Sequence, residues 1–271
     1  MAKKSVTLSE KGAIVLSVFI TGDCHANVSR FSKDCFYEQK DFSGNKDENF
    51  VIICGDFGLV WQRDCERKSE HYWLDWLEDK PFTTLFVDGN HENHKRMATY
   101  PVKEWHSGMV HEIRPHVLHM MRGEVFNIQG KKFFTFGGAS SHDISDGILN
   151  YNDEDWREQA KELEASGKWM YRVKDLTWWE EELPTDQEMQ HGLDKLKENN
   201  NVVDYIITHS PPASVIALLG QGLYEQDILT KYLENIRVET EYKYWFMGHM
   251  HVNRVINDKD IILYEQITQV L

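Results

Sequence analysis

The 271-residue chain predicts a layered α/β fold. Three observations carry that expectation. Apolar, β-branched runs each stop at a short polar turn, as buried strands with ligand-binding ends do. A helical hydrophobic period lies between the second and third of these runs. Helices and strands alternate first and strands dominate later, which favours one layered domain over 13–271 to two separate ones.

Residues 1–12 read as a polar tail. Ala13–Ile20 is apolar and β-branched and runs straight into Thr21-Gly22-Asp23, so it reads as a buried strand ending in a functional loop. Phe50–Cys54 repeats the arrangement and ends in Gly55-Asp56. Cys65, Ser69, Tyr72, Trp73, Trp76 and Leu77 fall at helical spacing and predict an amphipathic helix across 62–79, its Trp73/Trp76 stripe in the core. Phe82–Val87 is a third strand, ending in Asp88-Gly89-Asn90-His91. Val125–Ile128 and Lys132–Phe136 flank Gln129-Gly130 as a hairpin and run into Gly137-Gly138. Residues 145–200 are polar, rich in helix formers and without a clear strand. Val203–Thr208 is a buried strand stopped by His209-Ser210-Pro211-Pro212, and Tyr242–Met247 runs into Gly248-His249-Met250-His251. Val252–Ile256 and Ile261–Tyr264, joined by Asn257-Asp258-Lys259-Asp260, make a terminal hairpin.

Composition removes several classes. Nine Trp, eleven Tyr and thirteen Phe exclude disorder. The net charge of −14 opposes a large sequence-independent grip on nucleic-acid phosphates or anionic lipid. The longest strongly apolar run, Ala13–Ile20, is far short of the ~20 residues a membrane-spanning helix needs. No small-x-small cleavage site follows it, so it is not read as a secretory signal. Cys24, Cys35, Cys54 and Cys65 form no Cys-x-x-Cys pair, which points to reduced thiols and a cytoplasmic setting.

The chemistry sits at five strand ends. Beside Gly, Ser or Pro turns stand Asp23 and His25; Asp56; Asn90 and His91; His209; and His249 and His251. Asp-x-His and His-x-His place both side chains on one face of an extended segment. Two such pairs, a carboxylate able to bridge, an amide oxygen and a further His supply two adjacent metal sites. Mixed imidazole and carboxylate donors suit Mn, Fe or Zn first, then Co or Ni, rather than an all-oxygen Ca or Mg cage.

These motifs resemble those of the calcineurin-like metallophosphoesterase superfamily, whose pattern is Asp-x-His, Gly-Asp, Gly-Asn-His-Glu/Asp, a His, then Gly-His-x-His. The chain reads Gly22-Asp23-Cys24-His25, Gly55-Asp56, Gly89-Asn90-His91-Glu92, His209 and Gly248-His249-Met250-His251. The resemblance implies a four-layer sandwich, two mixed sheets flanked by helices, with a dimetal site at the strand C-terminal ends. It implies that Asp23, His25, Asp56 and His251 hold one metal, and that Asp56 bridges to a second held by Asn90, His209 and His249. His91 matches a non-ligand histidine beside the substrate phosphate. A hydroxide bridging the ions is then the nucleophile, and His91 the candidate general acid.

Departures from the pattern narrow the class. Ser/Thr protein phosphatases continue Gly-Asp-x-x-Asp-Arg-Gly, whereas this chain has Gly55-Asp56-Phe57-Gly58-Leu59-Val60-Trp61, leaving His91 without its usual partner. Gly137-Gly138-Ala139-Ser140-Ser141 and Arg172…Trp178-Trp179-Glu180-Glu181-Glu182 are similar to small bacterial phosphoesterases. His142 and Asp143 are candidates for orienting a ligand. Arg172 either clamps phosphate or pairs with a Glu of its acidic segment. Trp178 and Trp179 are expected to pack an appended cap over 145–184. Residues 151–200 carry a net −7, half of the chain's charge, so that cap should disfavour polyanions. The expected function is hydrolysis of a small phosphomonoester or phosphodiester. The alternatives are a catalytically silent scaffold of the same fold, or a nuclease, which the acidic charge disfavours.

Overall fold

The computed structural model describes residues 17–42, 44–220 and 226–271, so the expected tail at 1–12 and the start of the first run lie outside the described residues. In chain order the strands are β1 (Ser17–Thr21), β2 (Asn49–Ile53), β3 (Thr83–Phe86), β4 (Val102–Trp105), β5 (Gly108–Arg114), β6 (Val117–Met120), β7 (Glu124–Ile128), β8 (Lys131–Phe136), β9 (Gly147–Asn150), β10 (Tyr171–Lys174), β11 (Tyr205–Thr208), β12 (Tyr244–Met247), β13 (Arg254–Val255), β14 (Asp260–Ile262) and β15 (Thr268–Gln269). The helices are α1 (Lys68–Glu78), α2 (His94–Met97), α3 (Trp156–Ala165), α4 (Asp186–Glu198), α5 (Ala213–Gly220) and α6 (Ile228–Glu239).

Two large mixed sheets result. One has the order β15-β1-β2-β3-β6-β5-β4, the other β13-β14-β12-β11-β8-β7. Strands β1, β2 and β3 are mutually parallel, as are β8, β11 and β12, so their C-terminal ends open in common directions. Strand alternation then builds the layers. Val18 and Ile20 of β1 and Phe50 and Ile52 of β2 meet Phe133, Ile207 and Phe246 of the other sheet in a shared centre. Phe19, Val51 and Ile53 point the opposite way, onto Leu74 and Leu77 of α1. On the far side Phe134, Ile206 and Trp245 pack on Leu196 of α4 and Leu229, Leu233 and Ile236 of α6. The order is helix, sheet, sheet, helix. Because both faces of each sheet are covered, the central strands carry continuous apolar runs instead of alternating ones.

Three expectations need correction. Helix α1 begins at Lys68, not 62. Residues 62–67 form a turn, because the Trp61 and Gln62 amides donate to Glu70 Oε1, both at 2.9 Å, and Glu70 Oε2 accepts from Arg67 N to close the first turn. Trp73 and Trp76 only flank the core; Leu74 and Leu77 are the buried residues of that face. The stretch 145–200 does contain strands: β9 and β10 pair in parallel, Tyr171 with Gly147 through Lys174 with Asn150, and are linked through α3. Each has four residues and is half-covered, so neither leaves an apolar run to read. The meander β4-β5-β6 and the edge strand β15 were likewise invisible. Among the described residues no helix is long and apolar enough to cross a membrane.

Candidate metal centre

The turns after β1, β2, β3, β11 and β12 converge. One potential ligand atom from each of Asp23, His25, Asp56 and His251 lies within 4.8 Å of the others. His251 Nε2 is 3.2 Å from Asp23 Oδ2, and His25 Nε2 is 2.9 Å from His251 Nε2 and 3.5 Å from Asp56 Oδ2. The other Asp56 oxygen, Oδ1, faces His209 Nε2 at 3.3 Å and accepts the His91 backbone N–H at 2.9 Å. Asp56 therefore stands with one oxygen toward each of two groups. The His209 and His249 rings are 4.9 Å apart, centroid to centroid.

Two buried atoms argue for cations here. His209 donates from Nδ1 to the Cys54 carbonyl at 2.8 Å, which fixes its tautomer and turns Nε2 inward. That Nε2 and Asn90 Oδ1 are both buried without a hydrogen bond. Native structures rarely leave such groups orphaned, and each is a proper metal donor. The donor set fits the ions that the motifs imply. Without them, burial works against a charged His209, yet the Asp56 and Asp23 carboxylates hold its pKa up to about 10.

The backbone is bent to deliver these groups, so the Asp-x-His and His-x-His segments are not the extended ones that their spacing suggested. His25, Asp56, His249 and His251 all have left-handed φ values, between 46° and 68°. Glycine is required at Gly55 and Gly89 for close approach, since a Cβ would run into the His209 ring and the Asp56 carboxylate respectively. Arg30 braces the first turn, donating to the Asp23 carbonyl and the Tyr264 carbonyl, both at 2.6 Å. Buried Glu92 accepts from Gly58 N at 3.1 Å and Gly89 N at 2.6 Å, tying the Asp56 loop to the Asn90 loop. Cys24 is buried among apolar neighbours, its thiol pushed up to about 12 by that burial, in keeping with a spacer.

The Gly-Gly-Ala and Trp-Trp motifs meet behind Asn90. Glu182 accepts from Ser141 N at 2.8 Å, Ser141 Oγ at 2.6 Å and Trp178 Nε1 at 2.9 Å. Ser141 Oγ in turn lies 3.4 Å from Asn90 Nδ2, which leaves the amide oxygen facing away. His142 Nε2 lies 2.7 Å from His249 Nε2. Asp143 is in an ion pair with Arg172 Nε at 2.6 Å, so the partner of Arg172 is this aspartate and not a glutamate of its own segment. Trp179 is fully buried and meets Trp61 edge-on, while Trp178 is only partly buried.

His91 has partners that the sequence did not reveal. Its ring is stacked on Trp61 at 5.5 Å and meets His25 edge-on at 4.6 Å. Arg172 Nη2 reaches His91 Nε2 at 3.1 Å. Burial, opposed by the Asp56 carboxylate and reinforced by the Arg172 guanidinium, brings the His91 pKa down to about 4.

Three of the eight histidines outside the motifs pair with carboxylates near the surface, His71 with Glu66 and Asp75, His116 with Glu78, His191 with Glu124. His119 differs: it is buried and bonds Asp88 Oδ1 at 3.1 Å, while Arg122 takes Asp88 Oδ2. Asp88 precedes Gly89 and carries Gly138 N on its carbonyl, so this cluster steadies two site loops. No spacing signal marks it, because its members come from β6, its flank and the end of β3.

Fold and site together define a phosphoesterase of the two-sheet sandwich type. The sequence profile of the calcineurin-like phosphoesterases matches residues 16–253, and the chain belongs to that family, a class of metal-dependent phosphoric ester hydrolases. Among characterised proteins it is similar to the lariat debranching enzymes of Danio rerio (22% identical, 88% of this chain and 40% of the relative) and Xenopus laevis (20% identical, 88% and 43%). A third relative is the lariat debranching enzyme of Schizosaccharomyces pombe (24% identical, 75% and 42%). The chain thus spans less than half the length of these relatives.

Proposed function

We propose that the protein is a dimetal phosphoesterase acting on a small phosphoester. Asp23, His25, Asp56 and His251 would hold one ion, and Asp56, Asn90, His209 and His249 the other, with Mn, Fe or Zn the fitting metals. The observation that carries this is the pair of orphaned donors, Asn90 Oδ1 and His209 Nε2, buried beside a carboxylate with one oxygen toward each group.

Two divalent ions, when bound, would neutralise phosphoryl oxygens and acidify a water nucleophile. Attack of that water on phosphorus breaks the ester P–O bond, and the departing oxygen takes a proton as alcohol. His91, outside both donor sets and beside His25, would assist that oxygen, help typically worth ~10²–10⁴-fold. Residues 145–184 act as a cover, since they bring Arg172 to His91 and Glu182 to Ser141. The free Cys24, Cys35, Cys54 and Cys65 fit a cytoplasmic setting.

A second reading, cleavage of a branched, lariat-type phosphodiester, is favoured by the identity of the three relatives. The acidic charge of −14 weighs against it. Metal analysis of the purified protein, with a Mn²⁺-supplemented screen of aryl monoesters, aryl diesters and a branched oligonucleotide, separates the cases. Neither metal nor hydrolysis would leave the silent scaffold standing, and selective cleavage of the branch would install the second reading.

A further inference from the structure

Resting on the phosphoester reading, we infer that Arg172 is the substrate's third phosphoryl-oxygen partner and makes this enzyme selective for phosphomonoesters. The guanidinium comes from β10, in the segment inserted between the Gly137-Gly138 turn and β11, and its side chain is 8% exposed. Two of its nitrogens are spoken for: Nε pairs with Asp143 and Nη1 donates to the Thr177 carbonyl at 3.1 Å. These contacts orient the fork. The third nitrogen, Nη2, is delivered to His91 Nε2.

That last contact is the informative one. Arg122 spends all three guanidinium nitrogens on carboxylates and carbonyls, those of Asp88, Glu188, Glu181 and Glu182. Arg172 spends Nε and Nη1 in that way, on Asp143 and Thr177, but turns Nη2 to a ring nitrogen of His91, whose ring lies edge-on to His25. An anionic oxygen there is a far better acceptor. Trp61, stacked on His91 and braced edge-on by buried Trp179 at 4.9 Å, closes the side of this corner.

Counting oxygens gives the selectivity. A monoester dianion has three non-bridging oxygens, and a metal pair held at the donor cluster would neutralise two of them. The third falls to a donor outside the metal ligands, which Arg172 supplies. A diester has only two non-bridging oxygens and would bring a second ester substituent against the guanidinium and the Trp61 wall. The Arg that protein phosphatases carry after their Gly-Asp motif is absent from Gly55–Trp61, so the charge arrives here from another segment.

The test compares metal-loaded wild type, Arg172→Gln and Arg172→Lys on 4-nitrophenyl phosphate and bis(4-nitrophenyl) phosphate. Metal content is measured on the same samples, and binding of inorganic phosphate is followed by calorimetry. Wild type should prefer the monoester. Arg172→Gln should lower the monoester-to-diester ratio of kcat/KM at least tenfold and weaken phosphate binding at least tenfold, with metal retained. A smaller change, equal losses on both esters, or a wild-type preference for the diester overturns the inference. Should Arg172→Gln lose metal or fold, Arg172→Lys decides, since its ammonium keeps the charge without the fork. A ratio lowered at least threefold supports the inference, and any smaller change overturns it. Wild type that holds metal but cleaves neither ester defeats the phosphoester reading itself; cleavage indifferent to Arg172 defeats this inference alone.

Discussion

Glu70→Gln, a change at a buried position of α1, should cost about 3–5 kcal/mol of stability. Glu70 and Arg96 side chains are each 6% exposed and meet at 3.0 Å. At an effective dielectric of about 20, charges that close attract by roughly 5 kcal/mol. Removing one charge strands the other in the interior, and broken buried pairs cost about 3–5 kcal/mol. The amide can still accept the Trp61 and Gln62 N–H groups through one oxygen, so the loss is chiefly electrostatic. For a domain of this size it corresponds to a Tm lowered by roughly 6–20 °C. Urea unfolding of the metal-loaded protein measures it. The double variant Glu70→Gln/Arg96→Met should recover more than half, because neither charge remains unpaired. A single-variant loss below about 1 kcal/mol, or a double variant no better than the sum of the singles, would refute the reasoning. The same residue shapes the turn that holds Trp61 against His91, so a fall in kcat is expected alongside.

Asp56→Asn should lower metal occupancy and hydrolysis together; full activity with two bound metals removes Asp56 from the bridging position. His91→Asn should keep both metals while kcat falls ~10²-fold or more, with a smaller fall on nitrophenyl esters than on alkyl esters; metal loss in that variant moves His91 into the ligand set. Glu66, bonded chiefly by Arg114, has its pKa drawn down to about 2 from an ordinary 4.5. Its depressed value means that the pair stabilises the fold above about pH 4.5 and that this is lost as pH falls toward 2. After solvent screening the contribution is about 1–2 kcal/mol, so the urea midpoint of Glu66→Gln should trail wild type at pH 7 and converge with it near pH 2. Replacing 145–169 by a Gly/Ser linker, which removes β9 and α3, should leave metal content intact and alter KM across an ester size series; unchanged KM values would make the segment a bystander.

The motif residues were readable because each lies within five residues of an apolar run, and covered parallel strands announce themselves by such runs. Asp23, Asp56, Asn90, His209 and His249 needed no long-range information. What escaped was assembled across the chain. Arg172 and His91 are 81 positions apart, Ser141 and Glu182 are 41 apart, and Asp88 meets Arg122 over 34. Glu70 left no signal, because a helical period registers hydrophobic faces and is blind to a carboxylate folded back on the preceding turn. Short half-exposed strands such as β9 and β10 leave no periodic trace at all. The Gly-Gly-Ala and Trp-Trp-x-x-Glu segments were visible as motifs, but their purpose emerged only when Glu182 was found bonding Ser141 behind Asn90.

The geometry of the centre also explains why so small a site sits on so large a core. His25, Asp56, His249 and His251 hold left-handed backbone conformations, each costing about 1–2 kcal/mol for a residue with a Cβ. Together they store roughly 4–8 kcal/mol, comparable to the whole net stability of an ordinary domain. Clustered carboxylates and imidazoles, with two buried donors left orphaned, add to that cost. Loops alone could not hold such an arrangement. Each strained turn leaves a strand buried on both faces, and Arg30, Glu92 and Asp88 bind the turns to one another. Bound cations would relieve the electrostatic part by giving the orphaned donors and carboxylates their partners, so metal binding should raise the stability of the fold. The geometry of these turns is therefore set by the sheets, whereas Arg172 arrives on β10, in a separate segment inserted between β8 and β11.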